Sequence, residues 1–479
     1  MKTTACSYIS KVTGIRRKIR HFLFLSVFIS LLFPSYSVRA ADLLEIYNLA
    51  VENDPKFQSA SYKYGASPEI YRQARAELLP SLIADGSYQR TKQRIEDTNV
   101  AVFGANMARY PSKGYTLTLN QPIFRYSSIM RLLQSREEVK QAELEFELAK
   151  QDLILRVSEA YIGVLAARDS LEFTIAEEDA LKLHYELAKE RYSNGLAPIT
   201  DFHDAKARLT YTTAQRTLAE NTLDDAFEAL AEITGQKILH ISRLPVTVVT
   251  TDSSVDQSAP SDDVLPLQNP DPDDLDQWLN AALEQNLGIL IKKQEVLVAG
   301  REIDRQRGGH MPNVALVGRL NRDDEGGSLY GGDSDVMTRE AIIQLNIPIF
   351  QGFSVQSKVN EARELHQAAK QELEKEVRTA NRVVRSSFLG VKGSIENTTA
   401  LRESVISTMI ALEAKREGFR SGLYPSLAVL DAERDLHRSR QEYARARYDY
   451  ILYSLQLKKE VGNLTEADII EINQWFDKS

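Results

Sequence analysis

One cysteine, Cys6, occurs in 479 residues, and it lies within the first forty. A chain trimmed of that stretch forms no disulfide and no thiolate metal site. Tryptophan is almost as scarce, at Trp278 and Trp475 only. Beyond residue 40 no apolar run reaches the ~18 residues that a membrane-spanning helix needs. Any crossing of a membrane therefore falls to β-strands, which must close into a barrel because lipid cannot satisfy an open sheet edge. An excess of positive charge is also missing: 59 Lys and Arg stand against 67 Asp and Glu, a net charge of −8. That balance argues against nucleic acid as a partner.

Catalytic signatures are absent too. There is no Gly-x-x-x-x-Gly-Lys phosphate loop, no Gly-x-Gly-x-x-Gly after a strand, no His-Glu-x-x-His and no Gly-x-Ser-x-Gly. His184, His203, His240, His310, His366 and His437 are scattered singly, which does not make a metal site. No catalytic, cofactor-binding or metal-binding residue is assigned, and a non-enzymatic role is expected.

What is present begins with a targeting signal. Lys11, Arg16, Arg17, Lys18 and Arg20 precede an apolar stretch from Phe22 to Phe33, and Val38-Arg39-Ala40 fits a cleavage site before Ala41. Residues 1–40 are thus expected to be a cleaved signal peptide. Its removal takes away seven basic and no acidic residues, so the net charge moves from −8 to −15.

The remainder reads as two copies of one unit, 41–235 and 275–462, separated by a segment at 236–274 and followed by a tail at 463–479. Each copy opens with a helical pattern, over 43–77 and 275–307, the first with Leu44, Tyr47, Ala50 and Val51 on one face and the second with Leu275, Trp278, Leu279, Ala282 and Leu283. Pro80 or Pro312 then introduces alternation. In Tyr115-Thr-Leu117-Thr-Leu119-Asn120 apolar residues point one way and polar ones the other, which suits lipid outside and water inside. Ala341 to Asn346 matches it, Ser81–Tyr88 and Asn313–Leu320 are weaker partners, and polar loops at 93–113 and 323–337 join the pairs. With no tryptophan in this region, anchoring at the membrane interface falls to Tyr115, Phe124 and Phe350.

The strands end in Leu119-Asn-Gln-Pro122-Ile-Phe124 and Leu345-Asn-Ile-Pro348-Ile-Phe350. Asn120 to Gly195 spans 75 residues and Asn346 to Gly422 spans 76; Gly195 to Gly235 and Gly422 to Gly462 are both 40. Spacing kept this closely marks a duplication, with equivalent elements side by side around an axis. From Val139 the apolar or small positions run Ala142, Phe146, Ala149, Leu153, Val157, Ala160, Val164, Ala167 and Leu171, a coiled-coil seam. Helices over about 127–192 and 354–419 would each be about 100 Å long, a length suited to spanning a periplasm. The Asp-, Ser- and Pro-rich stretch from Thr251 to Asp274 has little to bury and reads as a linker or surface excursion at mid-height on the helices, where the tail also falls.

Each long helix ends in a Gly-Leu-x-Pro turn. Tyr192-Ser-Asn-Gly195-Leu-Ala-Pro198-Ile-Thr200-Asp201 returns as Phe419-Arg420-Ser-Gly422-Leu-Tyr424-Pro425-Ser-Leu-Ala428, with Asp431 beyond it. The order of signal, helix, hairpin, long helix, turn and shorter helix, repeated in tandem, resembles the TolC-type outer-membrane efflux channels (the outer membrane factor family). The matching residues are Leu43–Pro55, the two Asn-x-Pro-Ile-Phe strand ends, Arg191–Asp204, Ala231-Glu-Ile-Thr-Gly235, Val384-Arg-Ser-Ser-Phe388 and Gly422–Asp431.

The resemblance implies a long antiparallel α-helical coiled-coil barrel continued by a transmembrane β-barrel. Three chains would give four strands each. It implies a homotrimer in outer-membrane lipid, serving as exit duct for a periplasmic adaptor (membrane fusion) protein and an inner-membrane pump or ABC transporter, in efflux or type I secretion. A periplasmic coiled-coil adaptor or scaffold is the competing expectation; it would share the helices but not the amphipathic strands. In the family the second hairpin carries a Tyr, an Arg and two Asp that close the periplasmic end; here those positions hold Phe419, Tyr424, Ala428 and Asp431. The first hairpin keeps Thr200 and Asp201. Phe419 has no hydroxyl and Tyr424 cannot replace a guanidinium, leaving one phenolic hydrogen bond and the charge of Arg420 as substitutes. Three copies of Asp431 around a narrow axis would favour cations.

Overall fold

The computed structural model describes residues 41–94, 107–244, 265–327 and 332–476. The expected signal peptide, residues 95–106 and 328–331 of the two strand-connecting loops, residues 245–264 of the linker and the last three residues lie outside them.

Each repeat begins with two helices where unbroken apolar spacing predicts one. The first carries α1 (Leu43–Asn53) and α2 (Pro55–Ala76), the second α5 (Leu275–Gln285) and α6 (Leu287–Arg307). The breaks fall at Asp54 and Asn286, whose ψ angles of 115° and 120° leave the helical range. Each residue caps the helix that follows: Asp54 Oδ2 accepts from the Phe57 amide (2.8 Å) and Asn286 Oδ1 from the Ile289 amide (2.9 Å). Pro55 adds a second cause in the first repeat, since it disfavours helical backbone at Asp54 and fits a first helical position.

Strands β1 (Ser81–Arg94), β2 (Met107–Arg125), β3 (Asn313–Glu325) and β4 (Ser334–Asn346) form one antiparallel sheet in the order β1-β2-β3-β4. The strands run further than the alternation predicts, so the connections are shorter than 93–113 and 323–337. Their register sets Leu82, Leu119, Gly318 and Ala341 in one row, with Ala84, Leu117, Leu320 and, at the β4 edge, Arg339 in the next row on the same face. The opposite face carries rows such as Ile83, Thr118, Arg319 and Glu340. There Thr116 Oγ1 donates to Asn321 Oδ1 (2.8 Å) and Arg319 pairs with Glu340 (3.4 Å). Leu82, Leu117 and Leu119 are 63, 37 and 40% exposed, so one face of the sheet is apolar and uncovered while the other is polar.

Two helices run the length of the molecule, α3 (Tyr126–Ser193, 68 residues) and α7 (Ser354–Arg420, 67 residues). Of the expected seam, Leu153, Val157, Val164 and Ala167 are buried and Phe146, Ala149 and Ala160 pack partly buried against the same core. Above the middle, toward the sheet, neighbouring helices follow the order α2-α3-α6-α7. Below it the order is α4-α3-α8-α7, where α4 is Ile199–Thr234 and α8 is Ser426–Val461. Short helices therefore stack along the flanks of continuous ones. The left-handed Gly235 (φ +72°) sits against Asn53, and Gly462 (φ +92°) against the backbone of Gln285, where a Cβ would collide. The Asn286 side chain donates through Nδ2 to the Glu460 carbonyl (2.6 Å) across the second junction.

The main core lies at this mid-height junction. Leu43, Ile46, Val157, Tyr161, Leu230, Ile451 and Leu455 are buried together there. The expected linker is anchored at both described ends: Ile241 bridges to Ala41, Tyr161 Oη donates to the Ser242 carbonyl (2.7 Å), and Leu265 is buried. The tail is structured as well, as α9 (Glu466–Asn473), which buries Ile469 and Ile472, while Phe476 meets Tyr161 edge-on at 5.1 Å.

Asp54 couples the junction to α3. Its side chain is 4% exposed and pairs with Arg156 at 2.5 Å. Burial pushes the Asp54 carboxyl up, but the bonds from Arg156 and from the Phe57 amide outweigh it and hold it below its usual value. A lowered carboxylate contributes stability above its unfolded value of about 3.9 and loses it as pH falls through the folded value. Asp54→Ala, which strands an Arg156 side chain only 26% exposed, is expected to cost about 3 kcal/mol at pH 7. Thermal unfolding followed by far-UV circular dichroism checks this; the gap from wild type should shrink below about pH 4, and a gap independent of pH would reject the ionic account.

Candidate functional site

At the end of the molecule remote from the sheet, two helical turns are built alike. Gly195 and Gly422 take φ values of +70° and +75°, which glycine adopts without cost. The Leu196 amide donates to the Arg191 carbonyl and the Leu423 amide to the Gly418 carbonyl, each at 2.8 Å. The Gly195 and Gly422 amides donate to Tyr192 and Phe419, each at 3.0 Å. Both long helices thus close with the same hydrogen-bonded reversal, and Pro198 and Pro425 then precede α4 and α8 in extended backbone.

The side chains that pack the two tips differ. In the first, Phe202 lies between Tyr185 and Tyr192, with ring centroids 5.7 Å from each. In the second, Val405, Leu412, Ala432 and Leu436 make an aliphatic cluster. Tyr424 folds back over Gly418, where any Cβ would strike its ring. Its hydroxyl-bearing ring is therefore turned onto its own hairpin. Arg420 pairs with Glu417 one turn back on the same helix. Thr200 and Asp201 are exposed, and the Thr200 hydroxyl donates to Asp201 Oδ1 at 3.4 Å. Among the described residues no hydrogen bond or ion pair joins Thr200 or Asp201 to Phe419, Arg420 or Tyr424.

Near the tips the two hairpins are joined by a bond that sequence spacing did not single out. Arg208 on α4 pairs with Asp431 on α8 at 3.3 Å, and Arg434 approaches the same carboxylate at 3.7 Å. Both partners in the Arg208 bond are about two-fifths exposed, so it is solvent-screened. These residues border a cavity of about 240 Å³ between α3, α4 and α8, lined also by Leu181, Tyr211 and His437. His184 of α3 lies nearby; burial, together with the Arg208 charge, holds its imidazole below the ordinary histidine value. One turn above, Glu178 ties α3 to α4 through Arg216 (3.1 Å) and Thr213 (3.0 Å). In sequence Arg208 is one cation among many on a charged helix face, and only the packing of α4 beside α8 distinguishes it.

Four observations now stand together: a sheet with one apolar face, two helices of nearly seventy residues, a duplicated topology and paired hairpin tips. Comparison with known proteins agrees with them. A family model described as outer membrane efflux protein matches residues 46–236 and again 278–463. Outer membrane protein TolC of Vibrio cholerae is 32% identical over 451 residues, covering 92% of this chain and 94% of that one. Proteases secretion protein PrtF of Dickeya chrysanthemi is 26% identical over 447 residues, covering 92% and 93%. The Campylobacter jejuni CmeC outer membrane channel superposes with a TM-score of 0.72 at 16% identity, covering 90% of this chain and 89% of that one, and so shares the fold. The chain belongs to the outer membrane efflux protein family.

Proposed function

We propose that three copies of this chain close into one continuous duct that carries substrate outward from a periplasmic adaptor and an inner-membrane pump or ABC transporter. Membership of the family places the protein in the outer membrane as a channel rather than an enzyme, and the adaptor-like scaffold reading loses its footing. The observation that carries the association of copies is the pair of unfilled edges, and the number three is what the family resemblance implies. In a single chain β1 and β4 each have one neighbour, and so do the α2/α4 stack and α7.

The duplication supplies the register at which those edges would meet. Within the chain β2 pairs with β3 so that Leu119 faces Gly318. Leu345 stands where Leu119 does, and Gly86 where Gly318 does, because Ser81 pairs with Asn120 as Asn313 pairs with Asn346. Leu345 of one subunit is thus expected opposite Gly86 of the next. β2 continues through Pro122 to Arg125 because β3 is there to receive it, whereas β4 stops at Asn346. Beyond that stop Ile349 and Phe350 are 95 and 72% exposed, whereas their counterparts beside β3, Ile123 and Phe124, are 59 and 38% exposed, so a neighbouring β1 would cover part of this run.

Relatives of this chain are named for efflux or for protease secretion, and both uses fit a passive duct. The hairpin tips would form its inner gate and dock the adaptor. Thr200, Asp201, Phe419, Arg420, Tyr424 and Asp431 are the gate candidates, with Gly195, Pro198, Gly422 and Pro425 setting the turns. The Arg208–Asp431 pair is added to them as a link near the tips between the two hairpins of one subunit, below the Gln441–Ser170 and Tyr448–Asp169 bonds.

Leu345→Cys with Gly86→Cys tests the assembly, because Cys6 is the sole native cysteine and lies in the expected leader. Oxidation in membranes should yield a covalent trimer on a denaturing gel, while Leu345→Cys with Arg94→Cys, out of register, should not. A ladder stopping at monomer in both cases would end the trimer reading.

The gate is tested by closed-state leak in planar bilayers. Arg208→Gln and Asp431→Asn should each raise the leak by no more than about fivefold, as suits an exposed ion pair, and the double variant should add nothing further. Asp431→Asn should also weaken cation selectivity; unchanged leak and selectivity would remove the pair from the gate.

A further inference from the structure

We propose that the outward face of the β1–β2 hairpin, at its end remote from the helices, binds the phosphate-bearing headgroups of the outer lipid leaflet. The inference rests on the barrel reading above and adds a lipid partner to it. Along β1 the residues of the apolar face run Leu82, Ala84, Gly86, Tyr88, Arg90, Lys92 and Arg94. Along β2 the same face runs Leu119, Leu117, Tyr115, Lys113, Pro111, Arg109 and Met107. Each strand passes from aliphatic through one tyrosine to cations. Arg90, Lys92, Arg94, Arg109 and Lys113 are all exposed.

The other face of the same stretch carries no charge: Gln89, Thr91 and Gln93 oppose Ser112, Tyr110 and Ala108. The cations therefore belong to the lipid side and not to the lumen. Their height also fits. From Phe124, at the inner end of the apolar face, to Lys113 is eleven residues, about 37 Å along a strand and about 28 Å along the axis of a tilted barrel. The apolar band of such a barrel is about 25 Å tall, so the cations begin where hydrocarbon ends.

The arrangement is unfavourable for the protein alone. Lys92 and Arg109 are direct cross-strand partners, and like charges so placed repel. The ion pairs within the described sheet are Arg319–Glu340 and Arg322–Asp335; Lys113 has Asp324 as its cross-strand neighbour on β3, and Arg90, Lys92, Arg94 and Arg109 form no ion pair among the described residues. An anion supplied from outside the chain resolves both facts. Continuity with the lipid-facing band identifies its source as a lipid headgroup, with the acyl chains lying along Leu117 and Leu119.

The test uses the full-length protein purified in a neutral detergent and titrated with diphosphoryl lipid A, with bound lipid counted by native mass spectrometry. Wild type should bind it at least tenfold more tightly than lipid A stripped of both phosphates. Lys92→Gln with Arg109→Gln should lower affinity roughly thirtyfold, as two cations removed from a membrane surface would. Equal affinity for the stripped lipid, an unaffected variant, or full displacement by millimolar inorganic phosphate would each overturn the proposal. Heat-modifiable migration of the same samples reports trimer and barrel separately, so loss of the barrel is distinguished from loss of lipid binding, and the wild-type comparison of the two lipids stands without any variant.

Discussion

A backbone amide or carbonyl facing hydrocarbon has no water to bond, and everything above the middle of this molecule answers to that constraint. Four strands cannot satisfy it alone, since β1 and β4 each leave a row of donors and acceptors unmet. The helices below are ordered so that the same two edges are open: β1 follows α2, β4 precedes α7, and α2 and α7 flank the upper helical layer. One act of association between copies, as proposed, would therefore complete the sheet and the helical wall together. The duplication would make this economical, because the proposed junction between subunits would reuse the geometry already present between β2 and β3 and between α3 and α6.

The middle of the molecule solves a different problem. Each repeat needs one helix that runs through and one that is assembled from two pieces, and the join must not leave helix ends orphaned in a core. Left-handed glycines close the lower pieces, and Asp54 and Asn286 open the upper ones. The two joins are not equal. Asp54 carries charge and takes a guanidinium from Arg156, whereas Asn286 is neutral and donates to the Glu460 carbonyl. The charged join lies in the repeat that also anchors Ala41 against Ile241 and Tyr161 against the linker. Terminal segments and the charged junction thus share one side of the core.

Much of this was legible in the residues. Alternation over Tyr115–Asn120 located a strand and its faces, and apolar steps of three and four located helices to within a residue or two of Tyr126–Ser193 and Ser354–Arg420. Periodicity missed the breaks at Asp54 and Asn286, because apolar positions keep helical phase across a single extended residue; Asp54-Pro55 was the local signal that the chain turns. The reach of β1 to Arg94 was hidden because Gln89 to Gln93 look like loop residues until Tyr110 and Ser112 are set opposite them. At the tips the turns were readable from Gly195 and Gly422. The Arg208–Asp431 bond was not, since it joins residues from different repeats and depends on how α4, α3 and α8 pack.

That bond also bears on how such a gate would be operated. An exposed ion pair contributes at most about 1 kcal/mol, and the residues that would strengthen it in the family pattern are replaced by Phe419, Tyr424 and Ala428. Tyr424 has been spent on covering Gly418 within its own hairpin. Against this, Leu196 and Leu423 stand 76% and 78% exposed at the two turns. Covering one leucine contributes about 1.5–3 kcal/mol, so a partner that buries even one of these side chains only in the open arrangement outweighs the latch. Opening would then need no chemical energy at the tip, only a partner whose contact is better made with the hairpins apart.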